Sequence, residues 1–572
     1  MMRRIRHTGL IAALAIATFA ATLAAQLPTP LPLKYSGPPT VPAITPGDLM
    51  TRLYIIADDS MMGREIGTVH HLQATAYVAG EAQRLGLVPL GDSGTFFQRV
   101  PVVRRAFDTT STLTTDSAVY HGGSDFLATV NAQPWQFAHA EALYGGVTYD
   151  TTNLLSADLV RGKFLLLTAP PPGTLTAALA RSTGYRNWLR MVAAAAAVAT
   201  IGPMEIPAPM LRVALHPTGM SSPPDTTREM SFLVREGVAR ALLGQPAGPL
   251  VKGTVGRPVT SSVHFDDAPL PGRNVLAMIR GSDPALAGEY VVLATHTDNL
   301  GPFNPRDHDS VRVANEVLRP EGARSPVVMQ PSNAQWERIF ARLDSVRKIR
   351  PPRPDSIYNG ADDDGSGIVS LLEIAEAIAH GGTPPRRSII FAWFGGEEPG
   401  NWGSARFTDH PPVPRDSIVA AISVDRVGRG DVTDETGHTA AGSPINGSEG
   451  YLQVVGSRRM SGEFGNLIDA VNTAEHPGAA FDYSMDGNPR SVYCSGETAA
   501  FAFGRYGIPA VEFTTGVNVD FHQVTDEAQY IDYSHMARVD SVILAVTRAV
   551  ADLAHRPVID QPAPPLHAAC KP

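Results

Sequence analysis

The sequence predicts an α/β protein: a mixed, mostly parallel wound sheet with helices on both faces, carrying a smaller inserted α/β unit. Three observations lead there. At 572 residues the chain exceeds what one ordinary core serves. From about residue 257 strand-like apolar runs alternate with amphipathic helical patterns, the order of a wound sheet. Between 130 and 255 the character changes, with strand-like "GKFLLLTAP", alanine-rich "MVAAAAAVATIG" and "REGVARALLGQP".

Residues 1–25 read as an export signal. Arg3, Arg4 and Arg6 form a positive head, Leu10 to Leu23 an apolar run, and Ala24 and Ala25 the small residues before a cleavage point. The apolar run is shorter than the roughly 20 residues of a membrane span. The mature chain is therefore expected to be soluble, periplasmic or extracellular. Residues 26–45 are proline-rich and read as an extended linker. Residues 46–129 open a first domain, where "LQATAYVAGEAQRLGL" has apolar residues at helical spacing and Gly86 supplies the stop.

Residues 256–556 resume that domain after the 130–255 insert. "RNVLAMIRG", "EYVVLATHTD", "RRSIIFAWFGGEE", "SIVAAISVDRVG" and "GIPAVEFTTG" are expected strands. "GSGIVSLLEIAEAIAH" and "MARVDSVILAVTRAVADLAHR" are expected helices. A polar stretch, 301–357, interrupts this scheme, as a surface loop or as a cover over a site. Residues 557–572 form a second proline-rich tail.

Hydrophobic residues make up 43% of the chain and charged ones 18%, which describes a globular protein. A net charge of −9 gives no basis for a nucleic-acid or anionic-membrane partner. With only Cys494 and Cys570, neither a disulfide framework nor a thiolate metal cluster is available. Any metal must be held by histidine and carboxylate.

Such residues gather where strands end. His296 and Asp298 close one run, and Asp362, Asp363 and Asp364 open a helix. Glu397 and Glu398 close a second run, Asp425 follows a third, and His522 lies in "VDFHQVTDE". Strand carboxyl ends of an open sheet share one edge, so these positions can converge. Imidazole nitrogen and carboxylate oxygen are ordinary Zn²⁺ ligands. Adjacent glutamates can divide two tasks, one binding metal and the other facing a water, because successive residues point in different directions.

In the order "HTD", "NGADDDGSG", "GGEEPGNWGS", "VDRVG" and "FHQVTDE", the chain resembles the M28 family of zinc aminopeptidases. The "GREIGTVHHLQATAYVAGEAQRLGLVPLGDSGTFFQRV" stretch is similar to the family's lead-in, and 130–255 to its protease-associated insert. The resemblance implies an exported peptidase with two zinc ions. Asp363 would bridge them; Glu398 and His522 would complete one position, His296 and Asp425 the other. Glu397 would be the general base, and Asp298 the partner that orients His296, since a ligating histidine donates its other N–H to a carboxylate or carbonyl. The bridging aspartate comes from the family register, which also implies a cis peptide at Asp363–Asp364.

The chain departs from the pattern at "YCSGETAAF", where many members carry an Asp-His pair. Tyr493 is the candidate for steadying an oxyanion there, in a shifted register. Alternatives on the same scaffold are a mono-zinc cyclase acting on N-terminal glutamine, a carboxypeptidase or dipeptidase, and a non-catalytic binding domain. The serine-hydrolase motif suggested by "GDSGT" at Gly91–Thr95 is incomplete and misplaced.

Overall fold

The structure is a computed structural model. It describes residues 31–562 apart from 129–135, 171–178, 180–181, 203–205, 207–209, 211–213, 216–230, 321, 323–324, 326–327, 329–330, 431–446, 449, 476–477, 485 and 487–497. Residues 1–25, expected to be an export signal, and Tyr493, Cys494 and Cys570 lie outside the described residues.

Among the described residues nine strands form the main sheet. Their spatial order is Val88–Pro89, Arg273–Ile279, Ser388–Phe394, Tyr290–His296, Ile418–Val424, Ala510–Thr514, Tyr451–Val455 and Ala480–Asp482, with Phe97–Arg99 also on Arg273–Ile279. The four central strands, Ser388–Phe394 to Ala510–Thr514, run parallel, and the strands flanking them pair antiparallel. All five predicted strands are present.

These strands read as unbroken apolar runs because both faces are covered. Ile389, Phe391 and Trp393 join one core, with the helices Pro46–Ile56, Val69–Arg84, Gly367–His380 and Tyr533–Asp552. Ile390, Ala392 and Phe394 join the other, with Trp402–Asp409 and Ala499–Gly504. Each fully buried side chain of this size stabilises the fold by about 1.5–3 kcal/mol. The helix Val69–Arg84 starts where Thr68 accepts the His71 N–H and stops before Gly86, at φ 72°.

A second sheet, of eight strands among the described residues, corrects the expected insert boundaries. Its order is Val119–His121, Thr112–Thr114, Val255–Ser262, Ala140–Val147, Phe164–Thr168, Ala197–Ile201, Ser231–Val234 and Phe126–Ala128. The unit therefore draws on 112–262, wider than 130–255, and takes its edge strands from residues expected to belong to 46–129. Those strands have three residues each, too short for a periodic signal. A ribbon of Val102–Phe107 paired with Phe265–Leu270 carries the chain in and out.

The described residues of the 301–357 stretch include paired strands and two helices. Gly301–Asp307 pairs with Pro354–Tyr358, and between them lie helices His308–Leu318 and Asn333–Arg347, packed through Val313, Val317 and Ile339. Among the described residues no helix is long and apolar enough to cross a membrane.

Candidate metal centre

The carboxyl ends of the parallel strands deliver the predicted residues to one edge. His296 is the last residue of its strand, and Asp425 follows Val424 directly. Glu397 and Glu398 follow Phe394 after two glycines. Gly396 has φ 82°, and a Cβ there would lie 2.9 Å from Ile66 and 3.1 Å from Trp402. His522 lies in the loop beyond Thr514 at φ 56°.

Two groups of possible ligands result: His296, Asp363 and Asp425, and Asp363, Glu398 and His522, each with its ligand atoms within 4.8 Å of one another. Asp363 belongs to both. Its Oδ1 lies 3.3 Å from His296 Nε2 and its Oδ2 lies 3.0 Å from His522 Nε2. The peptide Asp363–Asp364 is cis, as the family resemblance implies.

Hydrogen bonding decides which of the three aspartates faces the histidines. Asp362 accepts from Gly428 N–H at 2.8 Å and from Asn518 Nδ2 at 2.8 Å. Asp364 accepts from Thr295, from Gly367 N–H at 2.9 Å and from Arg426 N–H at 3.1 Å, so it holds a helix start to a strand end. Asp363 turns both carboxylate oxygens to the histidines, with Arg426 Nη1 3.5 Å from Oδ1, while its backbone N–H donates to Asp526 at 3.1 Å.

The other carboxylates each use one oxygen as an anchor. Asp425 Oδ2 pairs with Arg426 at 2.8 Å, and its Oδ1 lies 3.6 Å from His296 Nε2. Glu398 Oε1 accepts from Asn299 Nδ2 at 3.1 Å, and its Oε2 lies 3.0 Å from His522 Nε2. His296 Nε2, Asp363 Oδ2 and Asp425 Oδ1 are buried without a hydrogen-bond partner in the structure. Buried polar atoms are normally satisfied, so orphaned nitrogen and oxygen atoms facing one space fit a cation.

The electrostatics agree. Burial pushes the Glu397 carboxyl well above the usual carboxylate range, opposed by His296 and reinforced by Asp425 and Glu398. Burial, reinforced by Asp363, also lifts Glu398 to about 7. Against the lowering effect of burial, the neighbouring Asp363 and Glu398 carboxylates raise His522 to about 10. So many carboxylates can all ionise only with positive charge between them.

Asp298 meets His296 through its backbone and a neighbouring turn through its carboxylate. His296 Nδ1 lies 3.1 Å from the backbone oxygen of Asp298 and 3.8 Å from its carboxylate. The carboxylate instead accepts the N–H groups of Gly396, at 2.7 Å, and Glu397, at 3.1 Å. It fixes the turn that presents Glu397, whose carboxylate stands 3.8 Å from His296 Nε2. Glu397 lines a cavity together with His296, Asp425, Ser423 and Glu512.

Three contributors carry no sequence signal of their own. Asn299 holds Glu398, Arg426 holds Asp425, and Arg64 is fully buried. Arg64 donates to the carbonyls of Thr297 at 3.0 Å and Gly360 at 2.9 Å, tying the two ligand-bearing loops together. Only the position of Asn299 and Arg426 next to motif residues points to them.

A parallel-centred α/β sheet with linked carboxylate–imidazole groups at its carboxyl edge is the class that fold and site define. Within it, the model of peptidase family M28 matches residues 327–547; the match includes Asp363, Glu397, Glu398, Asp425 and His522 and begins beyond His296. A "Probable zinc metalloprotease" of Pyricularia oryzae is 26% identical over 269 residues, 42% of this chain and 50% of that one. "Leucine aminopeptidase 1" of Ajellomyces capsulatus is 27% identical over 228 residues, 37% of this chain and 52% of that one. The chain thus spans about half the length of the curated relatives it matches. A solved aminopeptidase from Aneurinibacillus sp. strain AM-1 aligns over 92% of this chain and 97% of its own, at 15% identity and a TM-score of 0.44.

Proposed function

We propose that the chain is an exported zinc metallopeptidase that removes N-terminal residues from peptides. One zinc would be held by His296, Asp363 and Asp425, the other by Asp363, Glu398 and His522. The observation that carries this is the Asp363 carboxylate, with one oxygen toward each histidine. It favours two ions over the single ion of a cyclase-like enzyme.

Zinc bound there supplies charge that acidifies water to a pKa of roughly 7 and offsets negative charge on a scissile carbonyl. The chain's residues do the rest. Glu397 takes the proton of the attacking water and returns it to the leaving amine. Asp298 keeps Glu397 in place through two backbone N–H groups. Asn299 and Arg426 each occupy one oxygen of a ligand carboxylate, so the other oxygen faces the metal position. Export rests on the Arg3–Ala25 pattern, and mass spectrometry of the secreted N-terminus tests it. The unit built on the second sheet is read as a protease-associated-type domain.

The experiment is a panel of aminoacyl-arylamides beside the same substrates with acetylated N-termini, assayed with zinc and after chelation. Hydrolysis of free-amine substrates only, lost on chelation and restored by zinc, is expected. Equal hydrolysis of blocked substrates would contradict an aminopeptidase.

A further inference from the structure

We infer that the 301–357 insertion braces the loop that carries His522, and thereby sets the affinity of one metal position independently of the other. This rests on the proposal that His522 is a metal ligand. His522 has a left-handed backbone, at φ 56°, which a residue with a Cβ keeps only when its surroundings hold it.

The insertion contacts that loop on both sides of His522. On the N-terminal side, Arg312 of helix His308–Leu318 lies 3.4 Å from Asp520 Oδ2, the same oxygen that Arg429 reaches at 3.1 Å. Asp520 is buried, and its other oxygen accepts from Thr525 at 2.7 Å. Asn315 Nδ2 donates to the Val519 carbonyl at 3.2 Å. On the C-terminal side, His308 Nε2 lies 2.9 Å from Glu527, and Arg353 pairs with the other Glu527 oxygen. The Arg312 guanidinium also lies over the Tyr530 ring, 3.8 Å from its centroid.

The braced loop is fastened in turn to the bridging residue. Asp526 accepts the N–H groups of Asp362 and Asp363, at 2.9 and 3.1 Å. His296 and Asp425 depend on something else: they end, or directly follow, core strands that are held by neighbouring strands. Asp363 is common to both positions, but Arg312 and Asn315 hold Asp520 and Val519 rather than Asp526, so loss of their contacts should loosen chiefly the position completed by His522 and leave the one completed by His296 and Asp425 nearly as it was.

The test uses the full chain and zinc alone, titrated against a chromophoric chelator, with thermal unfolding in parallel. Wild type should bind two equivalents. In an R312A/N315A double variant one equivalent should weaken about tenfold or more, the usual cost of removing a residue that orients a ligand, and the other should stay nearly as it was. Arg312→Lys keeps a charge at Asp520 and should recover part of the loss; it also supplies the readout if the double variant does not fold. Arg342→Ala, which breaks an ion pair to Glu316 within the insertion, should leave both equivalents unchanged. Two wild-type affinities in the double variant, or equal weakening of both, would overturn the inference. Fewer than two equivalents in wild type would defeat the two-zinc proposal and this inference with it. Two equivalents without peptidase activity would defeat only the proposed reaction.

Discussion

The carboxylate of Asp298 accepts the backbone N–H of Glu397 at 3.1 Å, and through that bond a residue of one strand end positions the side chain of another. The neighbouring His296 needs only the backbone oxygen of Asp298. Asp298→Ala should therefore leave two buried N–H groups unpaired, at about 1–3 kcal/mol each, without detaching His296. Turnover is expected to fall at least tenfold while zinc content stays near wild type. Parallel loss of zinc would show that the carboxylate orients the histidine after all.

The aspartate triplet gives a second expectation. Asp363→Asn removes the charge both groups share, so zinc content should drop at both positions. Asp362→Asn keeps an oxygen for Gly428 N–H and should retain zinc, at some cost in thermal stability. Metal analysis of the two purified variants checks this. The reverse pattern would move the bridge by one residue.

How far the sequence carried this site depends on the kind of interaction. Strand ends were legible because both-face burial of Ser388–Phe394 and Ile418–Val424 writes long apolar runs, and the polar residues that end them stand out. The choice among Asp362, Asp363 and Asp364 was not legible from spacing. Partners distant in sequence make it, namely Gly428, Asn518 and Thr295. Which part of Asp298 meets the imidazole was not legible for a similar reason, since either its carboxylate or its carbonyl can do so. The 301–357 insertion hid its helices behind a polar composition, because they bury only a thin seam around Val313, Val317 and Ile339.

Acid stability supplies a third expectation, away from the ligands. His71 is buried with its Nε2 3.1 Å from Thr297 Oγ1. Burial, with the charges of Arg273 and Arg64, lowers its pKa to about 3. Below its ordinary value of 6.5 the unfolded chain takes up a proton that the folded chain refuses. Stability is therefore full above pH 6.5 and falls as pH drops toward 3, by at most about 1.4 kcal/mol per unit. His71→Gln should flatten denaturant-derived stability across that window relative to wild type. An unchanged slope would exclude His71 as a source of acid lability.

The central claim is that adjacent glutamates divide the labour, Glu397 moving a proton and Glu398 holding a metal. The most direct measurement is zinc stoichiometry together with turnover on an aminoacyl-arylamide for Glu397→Gln and Glu398→Gln. Glu397→Gln should keep two zinc ions and lose about 10²–10⁴-fold in turnover, the usual contribution of a positioned base. Glu398→Gln should lose zinc from one position along with activity. Glu397→Gln that sheds zinc while Glu398→Gln retains both ions would contradict the account and reverse the two roles.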